Sequence, residues 1–83
     1  MPFNILVVDD EPDNLRVLSS LLKNQYNVLA TKSGVQALQI VKQQTVDLIL
    51  LDIVMPDIDG FEVIKQLKDD LNTQDIPVIF ITG

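Results

Sequence analysis

The sequence predicts an α/β domain built on a parallel sheet, and three observations carry that prediction. Apolar runs of strand length alternate with segments whose apolar residues recur at helical spacing, in the order βαβαβαβ. The runs at residues 5–8 (ILVV), 48–51 (LILL) and 78–81 (VIFI) contain no polar residue, as expected of strands buried on both faces. Each of these runs is followed at once by an acid or a hydroxyl: Asp9 and Asp10, Asp52, and Thr82.

Each element has its own justification. Residues 3–8, FNILVV, form a central first strand. Pro12 suits the first position of a helix, and Asp13 places a negative charge where the helix dipole favours it. Leu15, Leu18 and Leu22, with Val17 and Leu21 beside them, give that helix an apolar stripe over residues 12–24. Residues 26–31, YNVLAT, mix polar with apolar side chains, the pattern of a strand nearer an edge. Ser33 followed by Gln36 reads as a capping box opening a second helix over 34–44, with Val35, Leu38 and Val41 inward.

Residues 46–52 form the third strand, which ends before Pro56 because proline donates no ladder hydrogen bond. Asp59 and Glu62 open a third helix, and Gly60 lets the backbone pass closely. Phe61, Ile64, Leu67 and Leu71 are expected on its inward face, with Val63 flanking. A polar exit over 69–75 leads to Pro77 and the fourth strand, Val78–Ile81. Nothing repeats and no linker intervenes, so the 83 residues read as one domain.

Composition narrows the chemistry. The chain has no histidine and no cysteine. That removes the commonest general base, every disulfide and thiolate metal site, and any Ser-His or Cys-His nucleophile pair. The formal charge of −6 opposes binding to nucleic acid. No stretch reaches the length of a membrane span, and the start lacks a charged signal-peptide region, so a cytoplasmic protein is expected. Any chemistry must run on carboxylates.

The stretch at residues 48–60, LILLDIVMPDIDG, places Asp52 at the carboxyl end of a central strand, where open α/β sheets bind their ligands. If the first, third and fourth strands are neighbours, Asp9, Asp10, Asp52 and Thr82 converge on one edge. Carboxylates so close repel one another, and one pKa rises unless a cation intervenes. An all-oxygen donor set favours a hard cation such as Mg²⁺, and a metal beside a carboxylate and a hydroxyl suits phosphoryl transfer, for which aspartate is a known nucleophile. Plainer roles stand beside these. Asp9, Asp10 and Glu11 also suit a helix cap, Asp57 and Asp59 a turn and a cap, and Thr82 an ordinary strand position.

The segments ILVVDDEP, LLDIVMPDIDG and PVIFITG, in this order and spacing, resemble the signature segments of response regulator receiver domains across the whole chain. The resemblance implies a flavodoxin-like, doubly wound parallel sheet of order 2-1-3-4. It implies that Asp52 is the phosphoacceptor for a histidine kinase or phosphotransfer domain. It makes Asp10 the acidic ligand of Mg²⁺, Asp9 a partner acting largely through water, and Val54 the donor of a backbone carbonyl. Thr82 corresponds to the switch hydroxyl, Gly83 to the small residue beside it, and Pro56 and Gly60 to the loop at the rim.

Family members continue through a further helix, strand and helix, and that strand carries a lysine that pairs with the phosphoryl group. None of Lys23, Lys32, Lys42, Lys65 and Lys68 matches it. The chain is therefore expected to be a receiver domain truncated after its fourth strand, a signalling domain rather than an enzyme. The alternative is a non-catalytic receiver fragment that associates with itself or a partner, as a homodimer through the exposed edge of the fourth strand. A small hydrolase of the haloacid-dehalogenase kind would need a second acid two residues after the nucleophile, and Val54 stands there.

Overall fold

The computed structural model describes residues 3–81. Its order is β1 (Asn4–Val8), α1 (Pro12–Leu22), β2 (Asn27–Thr31), α2 (Gly34–Gln43), β3 (Leu48–Asp52), α3 (Gly60–Lys68) and β4 (Val78–Ile81). The strands form one parallel sheet of order β2-β1-β3-β4, as expected from the sequence. β1 lies at its centre, with Val8 paired to both Thr31 and Leu51.

Because side chains alternate along a strand, β1 and β3 feed two cores. Ile5 and Val7 face α1 and pack with Leu15, Leu18, Leu22, Val28, Leu48 and Leu50. Leu6, Val8, Ile49 and Leu51 face the other way and pack with Ala37, Met55, Val63 and Leu67, from α2, α3 and the loop between β3 and α3. The helices thus cover both faces, which makes the sheet doubly wound. On the α1 side an apolar hollow of about 420 Å³ opens between Phe3, Ile5, Leu22, Tyr26, Leu48 and Leu50.

Several inward assignments change. On α3, Val63 and Leu67 are buried, while Phe61 is 59% exposed and Leu71 83% exposed. Val63 and Leu67 are four residues apart, one helical turn, and share the face on which Gly60 approaches the sheet. Leu71 lies beyond the helix, which ends at Lys68, so helical spacing no longer sets its direction. Phe61 leans sideways against Phe80 of β4, ring centres 5.5 Å apart. On α2 Gly34 and Ala37 are buried and Leu38 and Val41 pack half-buried against the core as expected, but Val35 in the first turn is exposed. Val17 and Leu21 of α1 are exposed as well.

The starts of α2 and α3 are capped as the sequence suggests, but only half of each box closes. Ser33 Oγ accepts from Gln36 N, and Asp59 Oδ1 from Glu62 N. The side chain of Gln36 turns to the Thr31 hydroxyl, and that of Glu62 to Gln66.

Candidate functional site

The carboxyl ends of β1 and β3 lie side by side because Val8 pairs with Leu51. The next residues, Asp9 and Asp52, therefore emerge at the same edge, with Asp10 beside them. One carboxylate oxygen from each of Asp9, Asp10 and Asp52 lies within 4.8 Å of the others. They line an open hollow of about 400 Å³ with Glu11, Asn14, Ile53 and Val54. Among the described residues, no lysine or arginine is in that lining.

Each acid is held differently. Asp9 is buried at 2% exposure. Its N–H donates to the Thr31 carbonyl at 3.1 Å, and its carboxylate accepts from Glu11 N at 2.9 Å and Asn14 Nδ2 at 3.2 Å. Glu11 stands at the N-cap of α1 but makes no side-chain cap, so Asp9 serves both the helix start and the hollow. Asp52 is half-buried at the end of β3, and its Oδ1 accepts from Val54 N at 3.3 Å. Burial pushes the Asp52 carboxyl above its ordinary value; the Val54 N–H opposes this, and Asp9 and Asp10 add to the rise. Repulsion between the acids, expected from the sequence, contributes to this rise, and burial is its larger cause.

The rim depends on Gly60. A Cβ there would stand 2.7 Å from the Asp52 carbonyl oxygen and 2.9 Å from Ile53 Cα, so only glycine lets α3 start so close to the end of β3. Gly60 N donates to the Ile53 carbonyl at 2.7 Å, closing the base of the loop. Val54, 77% exposed, and the exposed Pro56 form its outer side. Thr82 and Gly83 lie outside the described residues.

Two residues at this edge escaped the sequence reading. Asn14 is the third residue of α1, and side chains of a first turn lean back toward the preceding chain, which is a usable signal for its bond to Asp9. Asp57 was expected to serve a turn. Its carboxylate instead crosses to α2, accepting from Ser33 Oγ, Gly34 N and Val35 N.

The family model for the response regulator receiver domain matches residues 5–83. The chain belongs to the response regulator receiver family. Among curated relatives of this receiver domain, the polar-differentiation response regulator DivK of Brucella anthropi is 37% identical over 84 residues, with all of the chain matching 68% of that protein. The response regulator PleD of Caulobacter vibrioides is 45% identical over 84 residues, again covering all of the chain. A probable cyclic di-GMP phosphodiesterase of Vibrio cholerae is 52% identical over 79 residues, 95% of the chain. The chain spans only 18% of the PleD and Vibrio cholerae proteins.

Solved structures agree with this fold. The N-terminal domain of a receiver protein from Methanoculleus marisnigri superposes with a TM-score of 0.89 at 38% identity, over 94% of this chain and 64% of that one. The response regulator TrrA of Thermotoga maritima, in complex with Mg²⁺–BeF, superposes with a TM-score of 0.86 at 34% identity, over 96% and 69%. Receiver domains are signalling domains. Among the described residues of this one, no helix is long and apolar enough to cross a membrane.

Proposed function

We propose that this receiver domain accepts a phosphoryl group on Asp52 from the phosphohistidine of a histidine kinase or phosphotransfer domain, in the cytoplasm. The observation that carries the reading is the meeting of Asp9, Asp10 and Asp52 in an open hollow that no basic side chain lines among the described residues. In the reaction a carboxylate oxygen of Asp52 attacks phosphorus, and the bond from phosphorus to the histidine nitrogen breaks. That nitrogen keeps the electron pair, and the product is an acyl phosphate. Val54 N–H holds Oδ1 of the nucleophile, and Asp9 is fixed by Glu11 and Asn14.

The donor set fits Mg²⁺: three converging oxygen ligands, one of them, Asp52, resisting ionisation through burial and then through the other two. Asp10, Asp52 and the Val54 carbonyl would hold the ion, with Asp9 acting largely through water, and when bound it neutralises charge on the carboxylates and phosphoryl oxygens. By family resemblance Thr82 supplies the hydroxyl that turns toward the phosphoryl group.

Incubation with acetyl phosphate and Mg²⁺, read by intact mass, tests this. The expected adduct forms slowly, because a cation opposite the phosphoryl group is usually a large catalytic contribution and none lines this hollow. It should require Mg²⁺ and vanish in Asp52→Asn. An adduct that survives Asp52→Asn would place the chemistry elsewhere.

A second reading, association of two copies of this polypeptide, is favoured by one observation. Among the described strands β4 stands at one end of the sheet order, and its Ile79 is 52% exposed beside an apolar row. Such an edge is a template for pairing with its own copy, and a two-fold contact satisfies both at once. Sedimentation of the 83-residue chain should show a dimer that Ile79→Lys dissociates; a folded monomer at micromolar concentration would refute it.

A further inference from the structure

The loop over residues 53–59 carries Val54 to the rim of the acidic hollow, and the means of holding it are unevenly spread. At its base Gly60 N donates to the Ile53 carbonyl, and Met55 is buried in the core at 8% exposure. Val54 between them is 77% exposed. On the far side the loop is tied to another helix. The Asp57 carboxylate accepts from Ser33 Oγ at 2.7 Å, Val35 N at 3.0 Å and Gly34 N at 3.3 Å, all at the start of α2.

A second contact runs beside these bonds. A Cβ on Gly34 would stand 2.7 Å from Ile58 Cγ1 and 3.2 Å from the Ile58 carbonyl oxygen, so the start of α2 rests directly on this loop. The Val35 N–H above all, then the Ser33 hydroxyl, hold the Asp57 carboxyl well below the usual carboxylate range, so the tie stays charged at ordinary pH. Ser33 already caps α2 through Gln36 N. The helix thus gains a second acceptor that comes from the functional loop.

We propose that Asp57 is a positioning residue for the acidic site: latched onto the start of α2, it fixes the loop that holds Val54 against the Asp52 carboxylate. Asp57 is not among the residues that line the hollow. It acts through the backbone of residues 54–56. Its effect on metal affinity rests on the Mg²⁺ reading above, but the latch itself does not.

The test compares Asp57→Ala, Asp57→Asn and a core variant, Leu18→Ala, by Mg²⁺ titration and by metal-free ¹⁵N relaxation of the amides of residues 53, 54, 55 and 57. Asp57→Ala should raise the Mg²⁺ Kd about 3–10-fold, at or below the range seen when partners outside the ligand set are removed. It should also lower the heteronuclear NOE of the loop. Asp57→Asn, which keeps one acceptor oxygen, should restore most of both. Leu18→Ala should lower the melting temperature and leave both unchanged. A folded Asp57→Ala with wild-type loop NOE and Kd would overturn the proposal. If the wild type binds no Mg²⁺, the metal reading fails, and the loop NOE alone decides the latch. Should Asp57→Ala not fold, Ser33→Ala removes the shortest of the three donors, and an unchanged loop in that variant overturns the proposal equally.

Discussion

The two ends of the sheet are both polar, yet they are built on opposite rules. At the amino end Asn4 N donates to Asp47 Oδ2 at 2.7 Å, Asn4 Nδ2 to the Thr45 carbonyl, and Asn27 Nδ2 to Asn4 Oδ1. Asp47 N in turn donates to the Asn4 carbonyl. Donors meet acceptors there, and the cluster pins β1 between its neighbours. At the carboxyl end three carboxylates face one another across a hollow without a basic residue. Acceptors meet acceptors, and burial, with the neighbouring acids adding to it, works against ionisation of Asp52. A polar cluster that satisfies itself is scaffolding; one that concentrates like charge awaits a counter-charge.

Substitutions at the two ends should therefore part ways. The largest effect is expected from Gly60→Ala, whose Cβ would overlap the Asp52 carbonyl oxygen and Ile53 Cα. Overpacking against backbone should destabilise the fold by about 2–3 kcal/mol and also weaken Mg²⁺ binding, since the end of β3 must shift. Urea unfolding together with a Mg²⁺ titration checks this; wild-type values in both would mean that the close approach relaxes freely.

Next comes Asp47→Ala, which leaves the Asn4 N–H without its acceptor. The loss should be about 1–2 kcal/mol of stability, with Mg²⁺ affinity unaltered. A change in affinity would show that the two ends communicate through β1 and β3 and are not independent.

The smallest and most diagnostic effect is a gain. The folded state raises the Asp52 carboxyl above its ordinary value, so it binds a proton more tightly than the unfolded chain does. Stability should then fall as pH rises from the ordinary carboxyl range through the raised value. Asp52→Asn removes that penalty. In EDTA near neutral pH its melting temperature should rise by about 2–4 °C, a fraction of the shift that 1 kcal/mol produces in a domain of this size. Low pH should erase the difference, and saturating Mg²⁺ should reverse it. Asp57 has the opposite sign. Its lowered carboxyl supports the fold above the ordinary value, and that support is lost in strong acid. A melting temperature for Asp52→Asn equal to the wild type across pH would mean that neither burial nor the neighbouring acids raise the Asp52 carboxyl in the folded chain.

Much of this was legible in the sequence because it is periodic or local. Unbroken apolar runs separated by helical stripes leave few arrangements besides a parallel sheet, and β4 was placed at its observed bounds, Val78–Ile81. Ser33 and Asp59 cap the helices they precede, because a cap needs only its next three residues. Asp9, Asp10 and Asp52 could be drawn together because strand ends in a parallel sheet share an edge.

Tertiary structure alone decided what depends on the neighbour a side chain meets. Whether Phe61 or Val63 faces the sheet is a matter of a fraction of a helical turn, and the approach of Gly60 to Asp52 sets that rotation. Asp57 reads as a turn residue in any window of sequence, since its three donors lie on α2, more than twenty positions away. The rise at Asp52 is likewise chiefly the work of burial, a property of the packed edge and of no single stretch of chain.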